Sequence, residues 1–140
     1  IVMAIQTGLG DYIAVDDSGG SARDISDNIT SYEIGNSQNL LDSTTVSKSA
    51  LQRLIALGDL TITLNGIFDK ASNKSHDVFK TKSATRTVTL AIGGNTSGYP
   101  KLEAEMLVGD YNLSRGTDGA LNFTASMMLQ SGTVPTWSTV

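Results

Sequence analysis

The chain has 140 residues, a net charge of −4, no cysteine and 17% charged residues. It is long enough for one domain with a full core, while disulfides, thiolate metal sites and a basic nucleic-acid footprint are excluded. The charged fraction lies below the roughly 25% of ordinary soluble domains. Neutral polar runs such as DSTTVSKS and QSGTVPTWSTV make up the difference, and a surface poor in Lys and Glu suits being covered by other protein.

At the N-terminus, IVMAIQTGLGDY lacks a basic segment ahead of a long apolar core, so no signal peptide is expected. Met3-Ala4 reads as a translation start, with Ile1-Val2 upstream of it. No run approaches the roughly 20 apolar residues that span a membrane, so no membrane partner is expected.

Tyr12–Val15 is a short apolar strand, closed by turn residues Asp16 to Gly20. ARDISDNITSYEIG predicts a second strand, a bend and a third strand near Thr30 to Ile34. Asn36 to Lys48 has no strong period and predicts a long loop or a loosely held hairpin; segments of that length are usually functional or disordered. In Ser49 to Leu57, the spacing of Leu51, Leu54, Ile55 and Leu57 fits about two helical turns, or an extended segment packed on a neighbour.

Leu60, Ile62 and Leu64 alternate with Thr61, Thr63 and Asn65, a half-buried strand with a bulge or bend expected at Gly66. Asp69 or Ser72 is the expected cap of a short helix to about Lys80 that buries Val78 and Phe79. Such a helix is too short to stand alone and must dock on the sheet. Val88, Leu90 and Ile92 mark the next strand, and Leu102, Ala104 and Met106 another, continuing past a kink at Gly109 toward Leu113. Asp118-Gly119 is a strong hairpin signal. Alternation from Leu121 to Leu129 comes next, and VPTW closes the chain with Trp137. The sum is mostly β: an antiparallel sandwich or partly open barrel of about seven or eight strands, with one short flanking helix.

No catalytic motif competes with this fold. His76 is the single histidine, and a lone surface histidine is commoner than a catalytic base. Glu103 and Glu105 share a strand face, a separation within reach of glycosidase chemistry, but a solvated acidic face is the simpler account. DDSGG lacks the spacing of a calcium loop, and Gly8-Leu9-Gly10 lacks the third glycine of a dinucleotide site. The Asn-x-Ser/Thr triplets at Asn28, Asn73, Asn95, Asn112 and Asn122 are chance in so Ser/Thr-rich a chain. No cofactor or metal is implied, and no enzyme activity.

The order LLDSTTVSKSALQRLIALGDLTITLNGIFD, SHDVFK, RTVTLAIGG, YPKLEAEMLVGDYNLS, DGALNFTASMMLQSGTVPTW resembles the major tail tube proteins of long-tailed, non-contractile bacteriophages. The likeness runs from about Ile34 to Trp137 and rests on order and pattern. It implies subunits of two packed sheets with a flanking helix. Six subunits form a ring whose inner sheets join into one barrel, and the rings stack into a virion tail assembled in the host cytoplasm. The implied partners are further copies of the chain, a tape measure protein and tail-end proteins. DNA would pass through the lumen without specific binding.

By that resemblance Asn36 to Leu57 is a long assembly loop. Leu40, Leu41, Asp42, Thr44, Val46, Leu51 and Arg53 are its candidate inter-ring contacts. Residues 1–10 would be a second contact arm. A lumen should not grip phosphate, so Glu103, Glu105 and Asp110 are the candidate lining. The alternatives are a capsid decoration or tail terminator protein, and a carbohydrate-binding β-domain, which an aromatic content of 6% disfavours.

Overall fold

The computed structural model describes residues 10–82 and 84–140. The expected N-terminal arm lies outside them, apart from Gly10. Among these residues the strands are β1 (Tyr12–Asp16), β2 (Ala22–Asp24), β3 (Ile29–Asp42), β4 (Arg53–Ile67), β5 (Arg86–Ala91), β6 (Pro100–Arg115), β7 (Leu121–Leu129) and β8 (Ser138–Thr139), with a 3-10 turn at Ser26–Asn28 and one α-helix, α1 (Ser75–Phe79). All pair antiparallel in one sheet of order β2-β1-β5-β6-β7-β4-β3, and β8 adds to β6. The sheet is open. Its two ends approach where Tyr32 of β3 donates its phenol proton to Asp11, just ahead of β1, at 2.5 Å.

Alternation explains the core. Leu60, Ile62 and Leu64 of β4, Val88 and Leu90 of β5, Leu102 and Met106 of β6, and Phe123, Ala125 and Met127 of β7 form one buried cluster with Ile13, Val15, Val78 and Phe79. Each fully buried aliphatic or Phe side chain contributes about 1.5–3 kcal/mol. The predicted half-buried strands and the Asp118-Gly119 turn are observed, with Gly119 at φ +90° where a side chain would be strained.

Three register shifts interrupt the ladders; one lies in the β3–β4 arm between Gln38 and Leu40, and the other two decide which side chains of the body share a face. In β6, Val108 pairs with Met127 but Asp110 with Ser126, so Gly109 is the extra residue. In β3, Ile29 faces Gly66 and Ser31 faces Asn65, so the bulged residue is Thr30 rather than Gly66 itself. Gly66 is required for a different reason: a Cβ there would lie 2.1 Å from the Asn28 carbonyl oxygen.

The helix is shorter than expected, and its ends are capped partly from afar; locally, the Asp69 carbonyl accepts the His76 N–H at 3.2 Å. Its N-cap is Lys74, with no side-chain cap bond. Neither Asp69 nor Ser72 fills that place. Instead Asn28, 47 residues away, accepts the Ser75 N–H at 3.2 Å through Oδ1. Asp69 folds its own turn by accepting the Ala71 N–H at 2.9 Å, and that bond holds its carboxyl below the usual range. At the other end, fully buried Arg86 donates to the carbonyls of Val78 (2.6 Å), Thr81 and Asp16 (3.0 Å). Burial lowers its pKa. A five-residue helix has no stability of its own; tertiary partners supply what its termini lack.

Candidate assembly surfaces

The segment from Asn36 to Leu57 is neither a loop throughout nor helical in its second half. β3 runs on to Asp42 and β4 starts at Arg53, so the hairpin alternative holds; in Ser49 to Leu57 there is no helix, and the extended alternative is met by strand from Arg53 onward. β7 pairs with β4 only between Thr61 and Ile67. Beyond that point β3 and β4 continue as a two-stranded arm.

The arm is apolar on both faces. Leu40 faces Ile55 and Leu41 faces Leu54 across the ladder, and directly opposed residues share a face while neighbours alternate. These four are 56–78% exposed, and Leu51, Leu57 and the tip residue Val46 are exposed as well. A solvated ribbon of this kind, with no strand on either edge among the described residues, is an association surface.

Asp42, Thr44 and Arg53 have different tasks. Asp42 accepts the Thr44 N–H at 2.9 Å, which draws its carboxyl below the ordinary value. The Thr44 hydroxyl accepts the Gln52 N–H at 2.7 Å and donates back to the Gln52 carbonyl at 3.2 Å. The polar D-x-T-T run therefore shapes the tip from within. Arg53 stands exposed opposite Asp42.

The second surface is the face of the sheet turned away from the core. Strand registers align four residues in each of three rows: Ser31–Asn65–Thr124–Asn112, Glu33–Thr63–Ser126–Asp110 and Gly35–Thr61–Met128–Leu107. Asn65 ties the first row together, donating to Ser31 at 3.2 Å and accepting from Thr124 at 2.9 Å. Simple alternation puts Asp110 on the opposite face from Glu103 and Glu105. The bulge at Gly109 reverses that, and all three share the outer face. Glu105 accepts from the Thr87 hydroxyl at 2.5 Å, and Lys101 lies 4.0 Å from Glu103.

Glu33 joins this face although the sequence does not single it out, because its register with Thr63 is not readable from the loose alternation around Tyr32. The face is neutral polar with scattered carboxylates, and neither Glu103 nor Glu105 lines the groove between the sheet's two ends. His76, expected on the surface, is half-buried. Its Nδ1 lies 3.1 Å from the Tyr111 hydroxyl, and its ring packs on Phe68 with centroids 4.7 Å apart. Burial raises the Tyr111 phenol. Among the described residues no group of acidic or histidine side chains is arranged to hold a metal.

No protein-family model and no curated protein sequence matches the chain. Solved structures do. The tail of an empty gene transfer agent (GTA) particle, refined helically with C6 symmetry, superposes with a TM-score of 0.72 at 14% identity, covering 97% of this chain and 99% of that one. The fold is that of a tail tube subunit. The virion of a native gene transfer agent particle gives 0.68 at 14% identity over 94% of this chain and 99% of that one. The SPP1 tail tube, solved by solid-state NMR and cryo-EM, gives 0.72 at 9% identity over 97% and 80%.

Proposed function

We propose that this chain is the structural subunit of a phage tail tube, self-assembling into stacked hexameric rings around a conduit for DNA. The observation that carries the proposal is the arm: Leu40, Leu41, Leu54 and Ile55 form a two-faced apolar ribbon that a lone subunit leaves in water. Val46 and Leu51 extend it toward the tip, and a neighbouring ring supplies the cover. Tail tube structures of the same fold, one of them refined with C6 symmetry, support this.

Two further features fit. Among the described residues β3 is paired on one side only, and β6 from Leu107 to Arg115 has lost β5, whose pairing stops at Met106. Each subunit thus offers main-chain edges on two sides, and closure into a ring removes them. The outer face, with Glu33, Glu103, Glu105 and Asp110 among Thr, Ser and Asn, suits a lining along which DNA slides, since counter-ion release by Lys and Arg would hold the duplex. A tape measure protein and tail-end proteins are the expected heterologous partners, the virion tail is the expected location, and no catalytic role is assigned.

Negative-stain microscopy of the purified full chain at high concentration tests this. Tubes or six-fold rings are expected. A strictly monomeric protein at every concentration, with no rings in tail extracts, would overturn it.

A further inference from the structure

A strand with one buried face has its register fixed by that face, because a slip of one residue turns its apolar set to water. The arm has no such face. Leu40 and Leu41 on β3, with Leu54 and Ile55 on β4, put exposed apolar side chains on both sides. A one-residue slip therefore costs it little burial.

Two registers are open to it. Through the body β3 and β4 stay in step from Ser31–Asn65 to Gln38–Gly58. Continued unbroken, that step would set Leu40 against Ala56 and Leu41 against Ile55. The observed pairs are Leu40–Ile55 and Leu41–Leu54, because β4 carries two residues, Ala56 and Leu57, where β3 carries Asn39 alone. Both arrangements leave both faces apolar, so something other than burial selects the bulged one.

Three side-chain features meet at the bulge. The Gln38 side-chain amide donates to the carbonyl of Ala56, one of the two residues that the ladder passes over. The residue directly opposite Gln38 is Gly58, and a Cβ there would stand 2.9 Å from Gln38 Oε1. The same Cβ would stand 2.8 Å from a methyl of Val134, half-buried in the segment between β7 and β8. That segment is tied at both ends. The Gln130 N–H bonds the Glu105 carbonyl at 3.1 Å, and β8 pairs with Pro100 and Lys101. Val134 is thus held against the bulge from a fixed support.

We infer that Gln38, Gly58 and Val134 form a clamp that holds the arm in the bulged register. The clamp sets which face each arm residue presents. It also sets the direction in which the arm leaves the body, since a bulge bends its strand and increases the local twist. Released, the arm returns to the unbroken step, and Ile55 moves from the face of Leu40 to that of Leu41. The bearing on assembly rests on the tube proposal: stacked rings need every arm to leave at one angle.

The absence of native cysteine permits a direct test on the dispersed full chain. Directly opposed side chains are close enough to bridge, while neighbours on opposite faces are not. Two double variants are oxidised: Leu41→Cys with Leu54→Cys, opposed in the bulged register, and Leu41→Cys with Ile55→Cys, opposed only in the unbroken one. With the clamp intact the first pair should close and the second stay reduced. Gln38→Glu keeps the side chain's size but removes its donor, and Gly58→Ala pushes on both Gln38 and Val134. Each, added separately, should raise closure of the second pair about tenfold. Equal closure of both pairs with the clamp intact, or a rise with neither addition, would overturn the inference. In assembled material, Gln38→Glu should broaden the spread of ring-to-ring rotation seen by electron microscopy; a spread equal to wild type would overturn the bearing on assembly. Wild-type chain that forms no rings or tubes would overturn the tube proposal and leave the clamp to stand or fall on the oxidation alone.

Discussion

β4 is one strand with two fates. From Leu60 to Gly66 its alternate residues are fully buried, and from Arg53 to Leu57 nearly all are exposed, although the second stretch is just as apolar. The difference lies in what covers them. β7 pairs with the first stretch and the core fills its inner face, whereas among the described residues only β3 pairs with the second. Burial is thus a property of the neighbours, and an apolar ribbon without neighbours points to subunits that the single chain does not contain.

Substitutions can set the two halves of β4 against each other. Leu64→Ala, in the covered stretch, should cost about 3 kcal/mol by loss of transfer energy and creation of a cavity. Urea unfolding of dispersed subunits would read it. Arg86→Met should cost about 2 kcal/mol, because the carbonyls of Val78, Thr81 and Asp16 lose their donor, partly offset by not burying a charge. Loss of the α1 amide protection ahead of the sheet's would accompany it. Leu54→Ser with Ile55→Ser, in the uncovered stretch, should change subunit stability by no more than about 1 kcal/mol, about 0.5 for each exposed site.

The smallest effect concerns the tip. Asp42 has a folded-state pKa below its ordinary 3.8 because it accepts the Thr44 N–H. Its stabilising contribution is therefore complete above 3.8 and is lost as pH falls through the lower folded value. Exchange protection of the Thr44 amide should drop in that acid range alone.

Much of the body was legible in the sequence because a one-sided strand writes strict alternation, as from Leu121 to Leu129 and from Leu102 to Val108. The arm was harder for a physical reason. A ribbon apolar on both faces places apolar residues in adjacent doublets, Leu40-Leu41 and Leu54-Ile55, which erase the period of two. With Leu51, they imitate helical spacing instead. Bulges hide a second kind of information: the face on which Asp110 stands depends on one extra residue at Gly109, and Glu33 is placed by pairing with Thr63. Caps supplied from afar, by Asn28 and Arg86, are likewise invisible to a local search for Asp69 or Ser72.

The central claim is that the uncovered half of β4 exists for other copies of the chain. Side-by-side sedimentation and negative-stain microscopy of wild type and the Leu54→Ser/Ile55→Ser variant, both first shown to be equally folded, tests it most directly. Wild type should form long tubes, and the variant should stop at single rings or subunits. Tubes of equal length and yield from the variant would contradict the account.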